Sequence, residues 1–131
     1  MTWTLVSGTE LSSLPWAAAT GDHAAIFAAD DGAWFVNLKV PSAPLLMSTG
    51  RVLAVAGRSG LLAALEVDGD AIRLDLVSED GAVVSTEVDP SGPGPGIGLA
   101  GSITLTVDRI VVVLVDAAVA ERIVVAAAPL R

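Results

Sequence analysis

The stretch Leu61–Asp89 reads LLAALEVDGDAIRLDLVSEDGAVVSTEVD. Three apolar runs of period two are joined at two Asp-Gly pairs, Asp68-Gly69 and Asp80-Gly81. Alternation of this kind places successive side chains on opposite faces of a strand. Asp-Gly tolerates the positive φ values that tight hairpin loops require. The stretch therefore predicts an antiparallel meander of three strands.

The turns set the registers. With Asp68-Gly69 as a two-residue loop, Val67 faces Asp70, Leu65 faces Ile72, Ala63 faces Leu74 and Leu61 faces Leu76. The large apolar residues then share one face, and Glu66, Arg73 and Asp75 share the other, which reads as a sheet with one wet side. A two-residue loop at Asp80-Gly81 would put Glu87 and Ser85 opposite Leu74 and Leu76 on the apolar face. A three-residue loop, Glu79-Asp80-Gly81 with Gly81 left-handed, removes that conflict. It pairs Leu76 with Val84, Leu74 with Thr86 and Ile72 with Val88, and sets Arg73 opposite Glu87 on the solvent side. An exposed pair of that kind adds only ~0.2–1 kcal/mol, so its use is as a marker of register.

Short strands are expected along the rest of the chain, at Trp3–Val6, Trp16–Thr20, His23–Ala29, Ala33–Val40, Arg51–Ala56, Ile97–Val107, Ile110–Val115 and Ile123–Ala127. A loop of Asp30-Asp31-Gly32 would stack Phe27 on Phe35 and is preferred to a two-residue loop that pairs Phe27 with Val36. Leu45–Met47 follows Pro44 and is an edge strand or a loop. Ala117–Glu121 suits a short helical turn, and Pro90–Gly96 reads as an exposed, mobile Pro-Gly loop. The run Ile110–Val115 does not alternate, so it is buried on both faces or its second face meets a partner. About ten to twelve short strands in one domain, residues 1–131, predict an all-β fold. Its architecture is an antiparallel, meander-rich sandwich or small barrel, with a β-trefoil or propeller-like blades as alternatives.

Three stretches are built alike: PWAAATGDHAAIFAADDGAWFVNL from Pro15, RVLAVAGRSGLLAALEVDGDAIRLDL from Arg51 and GSITLTVDRIVVVLVDAAVAERIVVA from Gly101. Each is strand, turn, strand, turn, strand. The look is similar to β-propeller blades, and three units in this length also suit a β-trefoil. Their spacing is uneven, and neither a Gly-His…Trp-Asp pair nor a Gln-x-Trp set is present, so no family is assigned.

Composition bounds the function. The hydrophobic set is 53% before the 13 glycines are counted, against a usual ~45–50% with glycine included. Charged residues are 17%, and the net charge is −8. A single lysine, Lys39, and six arginines give no clustered base for phosphates, which argues against nucleic acid and against an anionic membrane surface. The N-terminus lacks a basic region before an apolar core, and no run reads as a transmembrane helix, so a cytoplasmic protein is expected. The absence of cysteine fits a reducing compartment.

Candidate sites are few. Gly96-Ile-Gly98-Leu-Ala-Gly101 has the spacing of a dinucleotide-binding loop, but that loop must open a helix and here SITLTV follows. His23 is the only histidine; Asp22 could orient it and Ser59 could act as a nucleophile, though nothing in the sequence brings the three together. Asp30-Asp31 and Asp68-Gly69-Asp70 offer oxygens for calcium but match no known loop and are explained by turn chemistry. Trp3, Trp16, Trp34 and His23 are the candidate binding residues, the tryptophans as the lining of an apolar pocket. Arg51, Arg58, Arg73 and Arg109 are scattered. Ile110, Val112, Leu114, Ile123 and Val125 are the candidate interface.

No cofactor is implied. With no Cys or Tyr, one His and one Lys, the leading expectation is a non-enzymatic binding or assembly module, a homo-oligomer or part of a larger complex. The alternatives are a small barrel that binds or cyclises an apolar small molecule, and a partial, lectin-like propeller completed by oligomerisation.

Overall fold

Alternating apolar runs become strands throughout the computed structural model. It describes all residues except 4, 6, 7, 12, 31, 41, 42, 69, 70, 89–98, 117–121, 130 and 131, and it describes only the backbone of 68, 99, 116 and 122–129. Among the described residues there are eleven strands and no helix. A first sheet holds β1 (Ala17–Thr20), β2 (Ala24–Ala29), β3 (Gly32–Asn37) and β4 (Leu45–Ser48). A second holds β5 (Arg51–Arg58), β6 (Leu61–Asp68), β7 (Ala71–Ser78) and β8 (Val83–Glu87). A third holds β9 (Leu99–Leu105), β10 (Arg109–Asp116) and β11 (Arg122–Pro129). In each sheet the strands lie side by side in chain order, and every pair is antiparallel.

No sheet closes on itself, so the barrel alternative gives way to a layered, sandwich-like arrangement. The second sheet lies in the middle. One of its faces (Val52, Leu62, Ala64, Val77) packs on Ala24, Ile26, Ala28, Ala33 and Phe35 of the first sheet. The other (Ala63, Leu65, Val67, Ile72, Leu74) packs on Leu105, Ile110, Val112 and Leu114 of the third. The expectation of a half-wet central meander is corrected here. Its polar face is the one covered by the first sheet, and Glu66 and Asp75 are only 6% and 5% exposed. Burying a carboxylate is costly unless it is hydrogen-bonded. Glu66 accepts a hydrogen bond from the Ser48 hydroxyl and sits across from Arg73. Asp75 accepts one from the Ser85 hydroxyl at 2.5 Å.

The registers agree in part with turn chemistry. At the second turn Leu76 pairs with Val84, Leu74 with Thr86 and Arg73 with Glu87, as the three-residue loop requires. Gly81 has φ +92°, the left-handed conformation that favours glycine. At the first turn the pairing is shifted by two residues, with Val67 opposite Ile72 and Leu65 opposite Leu74. Its two loop residues, 69 and 70, lie outside the described residues. A shift of two leaves every side chain on its face. The β2–β3 hairpin differs by one residue, which does change faces. Phe27 pairs with Trp34, and the two rings stack with centroids 6.4 Å apart, while Phe35 pairs with Ile26 on the opposite side. The two phenylalanines therefore do not stack.

β4 is an edge strand, as Pro44 implies. Trp3 and Leu5 belong to no strand and are almost fully exposed, so the expected strand at Trp3–Val6 is absent at the described positions. The expected loop at 90–96 and the helical turn at 117–121 lie outside the described residues.

The sheets stack by a repeated step. β5 lies chiefly against β1 and β2, and β9 lies against β5 and β6. The first strand of each sheet thus sits on the first two strands of the sheet before it. Glycine permits the closest of these approaches. A Cβ at Gly57 in β5 would stand 2.5 Å from the carbonyl oxygen of Thr20 in β1 and 2.8 Å from its carbon. Main chain on one side and sheet on the other leave no cheap way to yield. Gly57→Ala should therefore destabilise the fold by about 1–3 kcal/mol. Gly8→Ala, with nothing within 4 Å, should stay within about 0.5 kcal/mol. Urea unfolding midpoints check this, and equal effects would contradict the close approach.

The second turn also carries a pH signature. The Asp80 carboxyl is held below the ordinary carboxylate range, first by the Ser78 hydroxyl and then by the Ala82 N–H at 3.1 Å. A pKa lowered in the folded state adds stability above the unfolded value, which is lost as pH falls through the folded one. Asp80→Asn should flatten the fall in stability below about pH 4, read by thermal unfolding across pH. An unchanged slope would show that Asp80 is not so held.

Candidate functional site

The candidate catalytic trio is brought together, but in an arrangement that serves structure. Asp22 and His23 occupy the β1–β2 turn, Ser59 the β5–β6 turn, and Glu79 the β7–β8 turn. Glu79 is the centre. Its Oε1 accepts hydrogen bonds from the N–H groups of Asp22 (2.7 Å), His23 (3.0 Å) and Gly60 (3.2 Å). Its Oε2 lies 3.8 Å from His23 Nε2. The Ser59 hydroxyl donates to the Asp22 carboxylate at 3.0 and 3.1 Å.

A serine nucleophile is activated by a base that holds its proton, with that base oriented by a third group. Here the serine hydroxyl is directed at a carboxylate, and the imidazole is directed at a different carboxylate. What the cluster does is fasten a turn of the first sheet to two turns of the second. Glu79 is not among the sequence candidates; its only signal there is its place in an Asp-Gly loop.

The tryptophans do not converge. Trp3 is almost fully exposed in the N-terminal segment. Trp16 lines an open cleft of about 410 Å³ with Ala29, Asp30, Thr49, Gly50, Arg51 and Val52. Trp34 lies on the outward face of the first sheet, stacked on Phe27. A larger groove of about 1010 Å³ runs between the second and third sheets, walled by Leu61, Leu74, Leu76, Val84, Leu105 and Ile110. No tryptophan lines it.

The interface candidates divide. Ile110, Val112 and Leu114 are no more than 4% exposed, and they are packed against the second sheet. They belong to the interior rather than to a surface. The side chains of Ile123 and Val125 lie outside the described residues. Alternation along β10 turns the other set outward: Val111 and Val113 are half-buried and Val115 is exposed. Beside them on β9 are exposed Ala100, Ser102 and Thr104, which pair with Val115, Val113 and Val111.

The first sheet ends the stack in the same manner. Opposite its core face it carries Ala18, Ala25, Phe27, Trp34, Val36 and Leu46. Of these, Ala18 and Leu46 are exposed and the rest half-buried. The Trp34 Nε1 is buried and has no hydrogen-bond partner among the described residues. A buried donor left unpaired costs about 1–3 kcal/mol.

Other readings find less. Leu99–Gly101 begins β9, a strand where a dinucleotide-binding loop needs a helix. Asp31 and Asp70 lie outside the described residues, and no group of three or more metal-ligating side chains occurs among the described ones. Arg109 pairs with Asp108 at 3.6 Å, and Arg73 sits between Glu66 and Glu87 in the sheet register. No helix among the described residues is long and apolar enough to cross a membrane. Comparison with protein-family models, curated proteins and solved structures finds no match.

If Glu79 acts as the fastening between sheets, Glu79→Ala should cost about 1–3 kcal/mol, because three N–H groups lose a charged acceptor. Ser59→Ala, which removes one exposed bond, should cost no more than about 1 kcal/mol. Chemical denaturation checks the order, and a Glu79 variant no weaker than the Ser59 variant would contradict the assignment.

Proposed function

We propose that this chain is a non-enzymatic assembly module. It is a stack of three sheets whose two end faces are made to receive further β-sheet. The observation that carries this reading is the pair of outward faces. One is built on Phe27, Trp34 and Val36, and the other on Val111, Val113 and Val115. In the interior of the stack, faces of the same apolar kind are covered by a neighbouring sheet. On the end faces the same kind of residue is left half-buried, with Leu46 and Val115 exposed, and an apolar sheet face so left suits a contact surface. The repeated step from sheet to sheet supports the partial-propeller form of the reading, in which sheets stack about an axis near their first strands.

A thin catalytic inventory and the tying of Asp22, His23, Ser59 and Glu79 into an inter-sheet fastening support a binding role over a chemical one. The acidic charge keeps so apolar a chain in solution. A cysteine-free chain suits a reducing compartment, and we assign it to the cytoplasm. One observation favours a second reading, the binding of an apolar small molecule: the groove between the second and third sheets, walled by leucine, isoleucine and valine.

At concentrations low enough to separate any partners, the chain should bind an apolar fluorescent dye such as anilinonaphthalene sulfonate, and Trp34→Ser should reduce that binding severalfold. A folded, dissociated chain that binds no dye would contradict the assembly reading. Dye binding that is unaffected by Trp34→Ser and lost on Leu76→Ser would favour the groove.

A further inference from the structure

We infer that a second copy of this chain covers both end faces, head to tail, so that two copies close a ring of six sheets. This rests on the assembly reading and names its occupant.

The stacking step already present in the chain points to this occupant. Within the chain each new sheet places its first strand on the first two strands of the sheet before it. The outward face of the third sheet offers β9 and β10, its first two strands in chain order, to the same step. The outward face of the first sheet offers β1, which has exposed Ala18 and Thr20 there. Small residues suit this position, as Gly57 and Gly101 do where β5 and β9 make their close approaches. The step is directional: it joins the first sheet of one copy to the third sheet of another. Two like faces placed together would not repeat it, and head-to-tail contacts close into rings when the rotation allows.

The two faces also match in kind. The first sheet presents the half-buried, stacked rings of Phe27 and Trp34 with exposed Leu46 beside them. The third presents Val111, Val113 and Val115 beside exposed Ser102 and Thr104. The valines can cover the rings.

The extent of the faces favours two contacts over one. A face of three or four strands, each about five residues long, measures roughly 14–19 Å by 17 Å. Two closed contacts cover four such faces, on the order of 1,000–1,300 Å², which reaches the ~1,000 Å² a specific interface needs. One contact alone falls short, so closure in pairs is favoured over open chains. Stacked-sheet rings of this kind hold typically 4–8 sheets. With three sheets described in each copy, six is the only multiple of three in that range.

The test uses the whole chain, which has no native cysteine. Light scattering should give the mass of two chains. Ala18→Cys and Ser102→Cys, each at an exposed strand position, are then treated with a short bismaleimide. Head-to-tail closure predicts covalent dimers when the two variants are mixed and equilibrated, and none from either variant alone. Cross-linking of one variant with itself would overturn the head-to-tail arrangement. A single-chain mass would overturn the second copy as occupant. In that case, dye binding by the monomer leaves the assembly reading standing with another protein on these faces. A monomer that binds no dye ends both.

Discussion

The placement of the second sheet between the other two governs this structure. Its two faces are covered at once, so every residue from Leu62 to Val67 is buried whichever way it points. Such a sheet needs apolar residues at both phases of its alternation. It must also neutralise any polar residue that the alternation leaves inside. Glu66 and Asp75 are those residues, and serine hydroxyls from β4 and β8 satisfy them. Close packing then depends on small residues where sheets meet. Alanines fill much of the contact between the first and second sheets, and Gly57 lets β5 rest on the main chain of β1.

Polar contacts at the turns complete what apolar contact begins. Apolar burial is non-directional and would hold two sheets at more than one angle. The Glu79 carboxylate, with three N–H donors drawn from two turns, sets where the end of the first sheet meets the second. The residues that look like chemistry in the sequence thus specify geometry.

Much of the architecture is legible in the order of residues. The all-β class, the short antiparallel meanders and the three-residue second turn follow from alternation and turn chemistry, and Arg73 opposite Glu87 marks the register correctly. Placing the two-residue first loop at Asp68-Gly69, one residue early, misplaces the pairing by two residues without effect on the faces, since the period of a strand is two. The β2–β3 hairpin is misplaced by one, because stacking the phenylalanines is the wrong guide; Trp34 is the ring that meets Phe27. That slip hides the outward aromatic face. The burial of Glu66 and Asp75 is also illegible, because alternation reports which residues share a face and not what covers it. In Ile110–Val115 both phases are apolar, so which phase is interior depends on the second sheet. Packing selects Ile110, Val112 and Leu114 for the core and turns the intervening valines outward.

We take the outward face of the first sheet to be an interface and not a free surface. Trp34 reports on it directly. In a chain carrying Trp3→Phe and Trp16→Phe, Trp34 is the sole tryptophan, and its fluorescence can be followed over a wide dilution series. Its emission should shift to the red and become more open to acrylamide quenching as the protein is diluted and the face is uncovered. Emission and quenching that hold constant while the measured mass falls to a single chain would contradict an interface at this face.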